Sequence, residues 1–244
     1  MNTSETLAII QWGIVGSSRG IRHSDKKAEN RNQMHTCILD HLFSAFDIFE
    51  HFLKAYNKNM VRITSGTAKG IILLSPEIKG YRAVQDKAKL AVFSMLGTRI
   101  LKASCLDLYS GSGNLGIEAL SRGAASCDFV DEDREAIKTI QANLAKTKFS
   151  EKAEIFKKDA VKYVEGTDRN YDIIFADPFF IETHHRFLFE NMAKILKTNG
   201  IIVFSHGKDT DVDDVKINAR ELETYDTRKY GNAFISIFIK KPHQ

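Results

Sequence analysis

Proline, cysteine and tryptophan are scarce in this chain of 244 residues, which contains three prolines, three cysteines and one tryptophan. Three cysteines cannot all pair within one chain, so a disulfide-stabilised secreted domain is excluded and a reducing compartment is expected. Because prolines are so few, each one indicates a local requirement of the backbone. Pro178, which follows an apolar stretch, is therefore informative.

Long apolar runs are also lacking. No window approaches the ~18 uninterrupted apolar residues that a membrane span requires. The apolar run at 7–15 is interrupted by Gln11 and preceded by Glu5 rather than by lysines, which is not typical of a signal peptide. The sequence therefore predicts a cytoplasmic protein that does not bind membranes.

A strong charge of one sign is absent as well, since the formal net charge is only +4. Its distribution is more informative, because the segment from Arg62 to Lys89 contains six basic residues and two acidic ones. Contacts with phosphates provide most of the non-specific affinity of proteins for nucleic acids. This segment therefore favours a surface that contacts a polyanion.

Short apolar runs alternate with helical patterns from Cys105 onwards, which is typical of a parallel sheet covered on both faces. The predicted strands are 104–109, 126–131, 153–157, 171–176 and 200–205, and the predicted helices are 115–122, 135–146 and 185–197. Two final strands, 214–226 and 233–240, form a hairpin through Tyr230-Gly231-Asn232, so the last strand is antiparallel. Upstream, the pattern predicts a small hairpin over 61–74 and a helix over 85–96.

The chain divides into an N-terminal extension, 1–59, and a main domain, 60–244. The main domain comprises a hairpin-and-helix segment, 60–96, and a core, 97–244. Apolar residues at helical spacing predict one amphipathic helix over 36–57, whereas 1–30 show no such pattern and are expected to be poorly ordered. His35, Cys37 and His41 match no strong zinc-binding spacing, so no metal site is predicted.

A glycine-rich turn joins the first core strand to a helix in the segment Leu106-Asp107-Leu108-Tyr109-Ser110-Gly111-Ser112-Gly113-Asn114-Leu115-Gly116. Such a turn allows a cofactor to approach the backbone closely. The glycines alone would also fit a dinucleotide-binding site. Asp107 favours S-adenosylmethionine, because a carboxylate repels a pyrophosphate but accepts hydrogen bonds from the ammonium of an amino-acid-bearing cofactor.

Two further acids follow the next two strands. Asp131 is placed to hold ribose hydroxyls, and Asp159 to accept the adenine amino group, although either acid alone is equally explained as a helix cap or a solvated turn. Three acids at three successive strand ends favour a ligand site, because ligands in open α/β sheets bind at the carboxyl ends of strands. The predicted cofactor-binding residues are Asp107, Ser110, Gly111, Gly113, Asp131 and Asp159.

The segment Asp177-Pro178-Phe179-Phe180 follows the fourth core strand and predicts the reaction centre. An exocyclic amine conjugated to its ring is a poor nucleophile, so catalysis depends on aligning its lone pair with a methyl sulfonium. Asp177 can accept one N–H, and the carbonyl of Pro178 can accept the other. Phe180 is predicted to stack on the target base, which must leave its own stack to reach the pocket.

These motifs resemble the RsmD family of bacterial 16S rRNA methyltransferases over residues 60–240. The resemblance is carried by Val61-Arg62-Ile63-Thr64-Ser65-Gly66, by the run 106–124 and by Tyr230-Gly231. It implies a class I, Rossmann-like methyltransferase fold with seven strands, and S-adenosylmethionine as methyl donor. The implied substrate is the N2 amine of a guanine in small-subunit rRNA. We expect that the protein meets this RNA within the small ribosomal subunit or its assembly intermediate, and that it is a monomer. The predicted RNA-binding residues are Arg62, Lys69, Arg82 and Lys87.

Two segments depart from the family pattern. Phe179 replaces the second proline of its Asp-Pro-Pro motif, and Arg82-Ala83-Val84-Gln85-Asp86-Lys87 lacks a proline and a threonine that the family carries. Two alternatives therefore stay open, namely methylation of another amine, such as adenine N6 in DNA or RNA, and a non-enzymatic relative that binds RNA during ribosome assembly. The resemblance does not extend to 1–59, which we interpret as a lineage-specific appendage or a consequence of the start-codon choice.

Overall fold

The computed structural model describes residues 61–78, 84, 86–178, 185–215 and 219–242. The chain separates into two compact units, Met1–Ala55 and Tyr56–Gln244, and all described residues belong to the second. The predictions for the extension 1–59, including its amphipathic helix, lie outside the described residues. The same holds for Arg82, Phe179 and Phe180.

A seven-stranded sheet forms the centre of the second unit. A separate hairpin comes first in the chain and consists of β1 (Val61–Arg62) and β2 (Ile72–Leu73). The strands of the seven-stranded sheet are β3 (Ser104–Leu108), β4 (Ser126–Asp131), β5 (Ala153–Lys157), β6 (Tyr171–Ala176), β7 (Leu196–His206), β8 (Leu222–Tyr230) and β9 (Ala233–Lys240). The order in the sheet is β5-β4-β3-β6-β7-β9-β8. Strands β3 to β7 are parallel, and β9 is antiparallel to both β7 and β8. The predicted α/β fold, with seven strands and an antiparallel last strand, is confirmed.

Helices cover both faces of the sheet. They are α1 (Asp86–Leu96), α2 (Asn114–Ser121), α3 (Arg134–Thr147), α4 (Ala160–Gly166), α5 (His185–Ile195) and the single turn α6 (Val212–Val215). Helices α1, α2 and α3 pack on one face, and α4 and α5 on the other. Successive strand residues point to opposite faces, so Cys105 belongs to the first core and Leu106 to the second.

Two predicted strands were wrong in detail, and one helix was missed. Helix α4 was not predicted, because it has only seven residues and depends on Asp159, whose side chain accepts a hydrogen bond from the N–H of Lys162. The predicted strand 214–226 begins instead with α6, and β8 starts at Leu222 and continues to Tyr230, since its pairing with β9 extends to the hairpin turn. Strand β7 starts at Leu196 rather than 200, because Leu196 pairs with Tyr171 ahead of an irregularity in the ladder.

Within the described residues, no helix combines the length and hydrophobicity that a bilayer crossing needs. In the same part of the chain, no three His, Cys, Asp or Glu side chains are grouped as metal ligands. The residues weighed as metal ligands in the extension lie outside that part. Cys105 and Cys127 are free thiols buried in the core.

Candidate active site

The glycine-rich turn leaves the carboxyl end of β3 in an unusual backbone conformation. Tyr109, Gly111 and Gly113 all have positive φ angles, of 57°, 55° and 75°, and glycine adopts such angles without a steric penalty. Ser110 is buried and holds the turn, because its hydroxyl donates to the carbonyl of Asp107 and accepts from the N–H of Val130. The predicted residue Ser110 therefore uses its side chain inside the protein, and its backbone also makes internal hydrogen bonds, from its N–H to the carbonyl of Val130 at 3.2 Å and from the N–H of Gly113 to its carbonyl at 2.7 Å.

Asp107 lies beneath this turn with only 2% of its surface exposed. One carboxylate oxygen, Oδ2, accepts the N–H of Gly116 at 2.8 Å, in the first turn of α2. Burial raises the pKa of Asp107 well above its ordinary value, the Gly116 N–H lowers it, and the charges of Asp177 and Asp131 raise it again. The three acids Asp107, Asp131 and Asp177 are thus close enough to interact electrostatically.

Asp131 closes β4 against the glycine-rich turn. Its two carboxylate oxygens accept the N–H groups of Gly111 at 2.8 Å and Asp133 at 2.9 Å. Burial raises the pKa of Asp131, and these two N–H groups oppose the shift. Each carboxylate oxygen has a second lone pair, so Asp131 retains acceptor capacity for ribose hydroxyls.

Asp159 is the predicted cofactor residue with the clearest alternative role. Its Oδ1 atom caps α4 by accepting the N–H of Lys162 at 2.8 Å. No contact among the described residues joins it to Asp107, Asp131 or Asp177. Its contact with adenine stays a prediction.

The acidic side chains around the turn fit S-adenosylmethionine better than a dinucleotide. The charges of Asp177 and Asp131 raise the pKa of Asp107, and such a group of acids repels a pyrophosphate and attracts the ammonium and sulfonium groups of S-adenosylmethionine. The positive φ angles at Gly111 and Gly113 form a tight turn that glycine adopts without a steric penalty, and a Cβ at Gly113 would also meet Ile117 at 3.1 Å and Phe129 at 3.3 Å in the core.

Asp177 directly follows β6 and is partly buried, and Pro178 beside it is buried. Desolvation raises the pKa of Asp177 to about 6, and a hydrogen bond from Ser205 on the neighbouring strand β7 opposes that rise. Such a carboxylate is ionised at neutral pH and lacks its full hydration shell, which suits it to accept a hydrogen bond from a substrate. The stacking role of Phe180 stays a prediction.

The predicted RNA-binding residues that the structure describes are all exposed. Arg62 lies in β1, Lys69 in the hairpin turn and Lys87 in α1. Arg62 also pairs with Asp86, with 2.8 Å between Nε and Oδ2. Lys89, which contributed to the basic character of this segment, does not lie on the surface, since none of its area is exposed.

Sequence reasoning missed a buried polar network that joins the hairpin to α1 and α2. The ammonium of Lys89 donates to the side-chain oxygen of Asn114 at 2.6 Å and lies 3.4 Å from the carboxylate of Glu118. Glu118 is also fully buried and accepts the N–H of Thr64 at 2.8 Å and the Nε–H of Arg122 at 2.7 Å. The available signal was the position of Lys89 and Glu118 within the apolar stripe of each helix, where helical periodicity predicts burial although the charge of the side chain suggests exposure to solvent.

Asn143 was also missed, and it connects the hairpin to the glycine-rich turn. Its side chain is fully buried on α3, and its Oδ1 accepts the N–H of Leu74 at 2.7 Å. The Nδ2 group donates to the carbonyls of Leu74 at 2.9 Å and Ser112 at 2.8 Å. The segment after β2 is therefore held next to the turn that the cofactor is expected to contact.

Comparison with known proteins gives a consistent result. The model of a family described as conserved hypothetical protein 95 matches residues 61–239. YlbH of Bacillus subtilis (strain 168), provisionally named as an rRNA methyltransferase, is 31% identical over 186 residues, which are 74% of this chain and 100% of YlbH. Ribosomal RNA small subunit methyltransferase D of Escherichia coli (strain K12) is 34% identical over 140 residues, covering 57% of this chain and 68% of that protein. Among solved structures, yhhF of Escherichia coli, provisionally named as a methyltransferase, superposes with a TM-score of 0.66 at 24% identity, over 75% of this chain and 99% of that one.

Proposed function

The chain belongs to the RsmD family, whose model is described as conserved hypothetical protein 95, and from this premise we propose that it is an rRNA methyltransferase. The proposed methyl donor is S-adenosylmethionine, and the proposed acceptor is the N2 amine of a guanine in small-subunit (16S) rRNA. The relatives' names support the reaction and the kind of RNA.

The single observation that carries this proposal is the position and state of Asp177. A desolvated carboxylate with a pKa of about 6 follows β6, next to a proline and within electrostatic range of Asp107 under the glycine-rich turn. An ionised acceptor beside a cationic cofactor is what amine methylation requires, because the amine must be oriented and not simply deprotonated.

The protein residues perform binding, orientation and proton acceptance in this scheme. When bound, S-adenosylmethionine supplies an electrophilic methyl group on a sulfonium. Asp107 would hold the ammonium and Asp131 the ribose hydroxyls, while Asp177 and the carbonyl of Pro178 would each accept one N–H of the target amine. The nitrogen lone pair of the target amine would form the new N–C bond as the S–C bond of the donor breaks and leaves its electron pair on sulfur, and the Asp177 carboxylate would accept one N–H proton and pass it to water.

The exposed basic residues of the N-terminal segment complete the scheme. Arg62, Lys69 and Lys87 are placed on the surface, where they can contact RNA phosphates while the target base leaves its stack. We further propose that the substrate is the small subunit or its assembly intermediate, that the enzyme acts as a monomer, and that it works in the cytoplasm.

The proposal is tested by replacing Asp177 with Ala. Methyl transfer to 16S rRNA should be lost, because the amine is no longer oriented, while calorimetry should still detect binding of S-adenosylmethionine. Asp172→Ala is the matched control, since Asp172 lies on the same strand and pairs with Lys197 away from the site. That variant should keep its methylation activity.

Mass spectrometry of the rRNA then decides between the alternatives. Methylguanine in the product supports the proposal, whereas methyladenine would move the target to adenine N6. Near-normal turnover of Asp177→Ala would refute the role of this carboxylate. A wild-type chain that binds RNA, but neither methylates that RNA nor binds S-adenosylmethionine, would support the non-enzymatic alternative.

A further inference from the structure

Ser205 lies beside Asp177 because of the pairing between β6 and β7. Ala176 is paired with Phe204, so the next residues along the two parallel strands, Asp177 and Ser205, are neighbours. Side chains alternate along a strand, and Phe204 belongs to the core on the α5 side. Ser205 therefore points to the opposite face, together with Asp177, and only 8% of its surface is exposed.

The Ser205 hydroxyl faces the Asp177 carboxylate closely enough to lower its pKa, as a hydroxyl that donates a hydrogen bond to the ionised form does. Among the described ion pairs, none neutralises Asp177, and the nearby Asp107 is itself an acid, so it offers no positive charge. This hydroxyl is therefore the interaction that favours the ionised form of Asp177, against the desolvation that disfavours it.

We propose that Ser205 is a positioning residue for methyl transfer, which holds Asp177 ionised and fixes the direction in which its carboxylate accepts the amine. This inference rests on the proposed function and extends it to a residue on another strand. A carboxylate has two oxygens, and the serine hydroxyl engages the group from the β7 side. The remaining acceptor capacity is then directed away from β7, where the target N–H must lie.

A purely structural role would give a different result. Ser205 lies near the end of β7, and its hydroxyl could serve only to avoid an unsatisfied buried polar group. In that case its removal would change stability but not the titration of Asp177. The pH dependence of the reaction separates the two roles.

The test compares the pH profile of kcat for wild type, Ser205→Ala and Ser205→Thr. Without the hydroxyl, the pKa of Asp177 should rise, and the acid limb of the profile should move up by about one to two pH units, the size expected for one hydrogen bond to a charged group. At pH 6, Ser205→Ala should then lose most of its activity, while at high pH its kcat should recover only in part, because Asp177 is ionised again but the direction of its carboxylate is no longer fixed. Ser205→Thr, which restores a hydroxyl, should return the limb close to its original position.

Ser236→Ala is the matched control. Ser236 is a fully buried serine on the neighbouring strand β9, and its hydroxyl bonds to His206 at 2.8 Å and to Thr227 at 2.8 Å, not to Asp177. Both alanine variants remove one buried strand hydroxyl, so their losses of stability should be similar. Only Ser205→Ala should move the acid limb.

A second measurement makes the inference independent of turnover. Carbon-13 NMR of labelled aspartate carboxyls, with the Asp177 signal assigned by its loss in Asp177→Asn, reports the pKa of Asp177 directly. A rise in Ser205→Ala supports the positioning role, and an unchanged value overturns it. A wild-type chain that transfers no methyl group would instead contradict the proposed function, so the two failures are distinguishable. Should Ser205→Ala fail to fold, Ser205→Cys, with its weaker donor, should show a smaller rise.

Discussion

At the scale of single residues, the buried acids of the proposed reaction centre lower the stability of the folded protein. Burial raises the pKa of Asp177 to about 6, above its ordinary value of 3.8, although the protein would use the ionised form. Asp107 shows the same conflict, because burial and neighbouring negative charges raise its pKa while the Gly116 N–H is the one group that lowers it. Acids whose pKa values are shifted by burial and by neighbouring charges are typical of functional sites.

Replacing Asp177 with Asn should stabilise the protein at neutral pH. Between pH 3.8 and about 6, the folded chain binds more protons at this carboxyl than the unfolded chain does. The free energy of unfolding therefore falls as the pH rises through this window, and the whole decrease is present above about pH 6. The free energy of unfolding of Asp177→Asn should exceed that of wild type by up to about 3 kcal/mol at pH 8, with no such gain below pH 4. Urea denaturation at both pH values measures this.

Asp172→Asn is the control, and we expect it to change the stability in the opposite direction. Asp172 accepts hydrogen bonds from Lys197 and Ser104, which lower its pKa despite partial desolvation. The same amide substitution should therefore reduce stability at pH 8. A gain in both variants would show that the effect at Asp177 has nothing to do with its buried charge.

At the scale of elements, the N-terminal hairpin is built into the core. The carbonyl and the hydroxyl oxygen of Ser121 on α2 accept the N–H groups of Thr67 and Ala68, and both distances are 2.9 Å. Gly66 allows this approach, because a Cβ at that position would lie 1.8 Å from the Ser121 carbonyl oxygen. The hairpin thus reaches α2, whose first turn supports the glycine-rich turn.

A comparison of two glycines of this hairpin distinguishes the effect of backbone strain from that of a steric clash with α2. Gly66 and Gly70 have similar φ angles, +81° and +86°, but a Cβ at Gly70 would meet nothing within 4 Å. Alanine at either position adopts an equally strained backbone, and only Gly66→Ala also collides with α2. We expect Gly66→Ala to lose about 1 to 3 kcal/mol more stability than Gly70→Ala in chemical denaturation. Equal losses would show that the hairpin is not held against α2.

At the scale of the whole molecule, the family match and the compact unit coincide. The matched residues 61–239 lie within Tyr56–Gln244, and the alignment with YlbH covers 100% of that protein and 74% of this chain. The two-domain division that we predict from the sequence, with its boundary between 59 and 60, stays a prediction. It assigns all of the proposed chemistry to the second part.

A chain that begins at Tyr56 should therefore fold and bind S-adenosylmethionine as the full chain does. Unfolding should be cooperative, and a saturating cofactor should raise the free energy of unfolding by about 2.7 kcal/mol at 100 times its Kd in both chains, because only the folded state binds it. Calorimetry and thermal unfolding of the two chains make this comparison. Loss of cofactor binding in the shorter chain would show that the extension completes the site.

Local patterns were enough to predict most elements and the proposed chemistry. Alternating apolar runs, the glycine-rich turn and the segment starting at Asp177 each depend on residues that are adjacent in the chain. The fold class and the family follow from them and are confirmed. Helix α4 and the start of β7 were missed because a short helix has little periodicity, and because the start of β7 depends on pairing with Tyr171.

The sequence by itself determined the order of the elements and the residue types at the strand ends, because periodicity and turn chemistry act over a few neighbouring residues. Only the tertiary structure decided which charges are buried and which side chains meet. Lys89 and Glu118 carry charges that look solvated in sequence, yet both are fully buried as partners. Ser205 reaches Asp177 only because β7 pairs with β6 in one particular register, and such register depends on contacts between residues far apart in the chain.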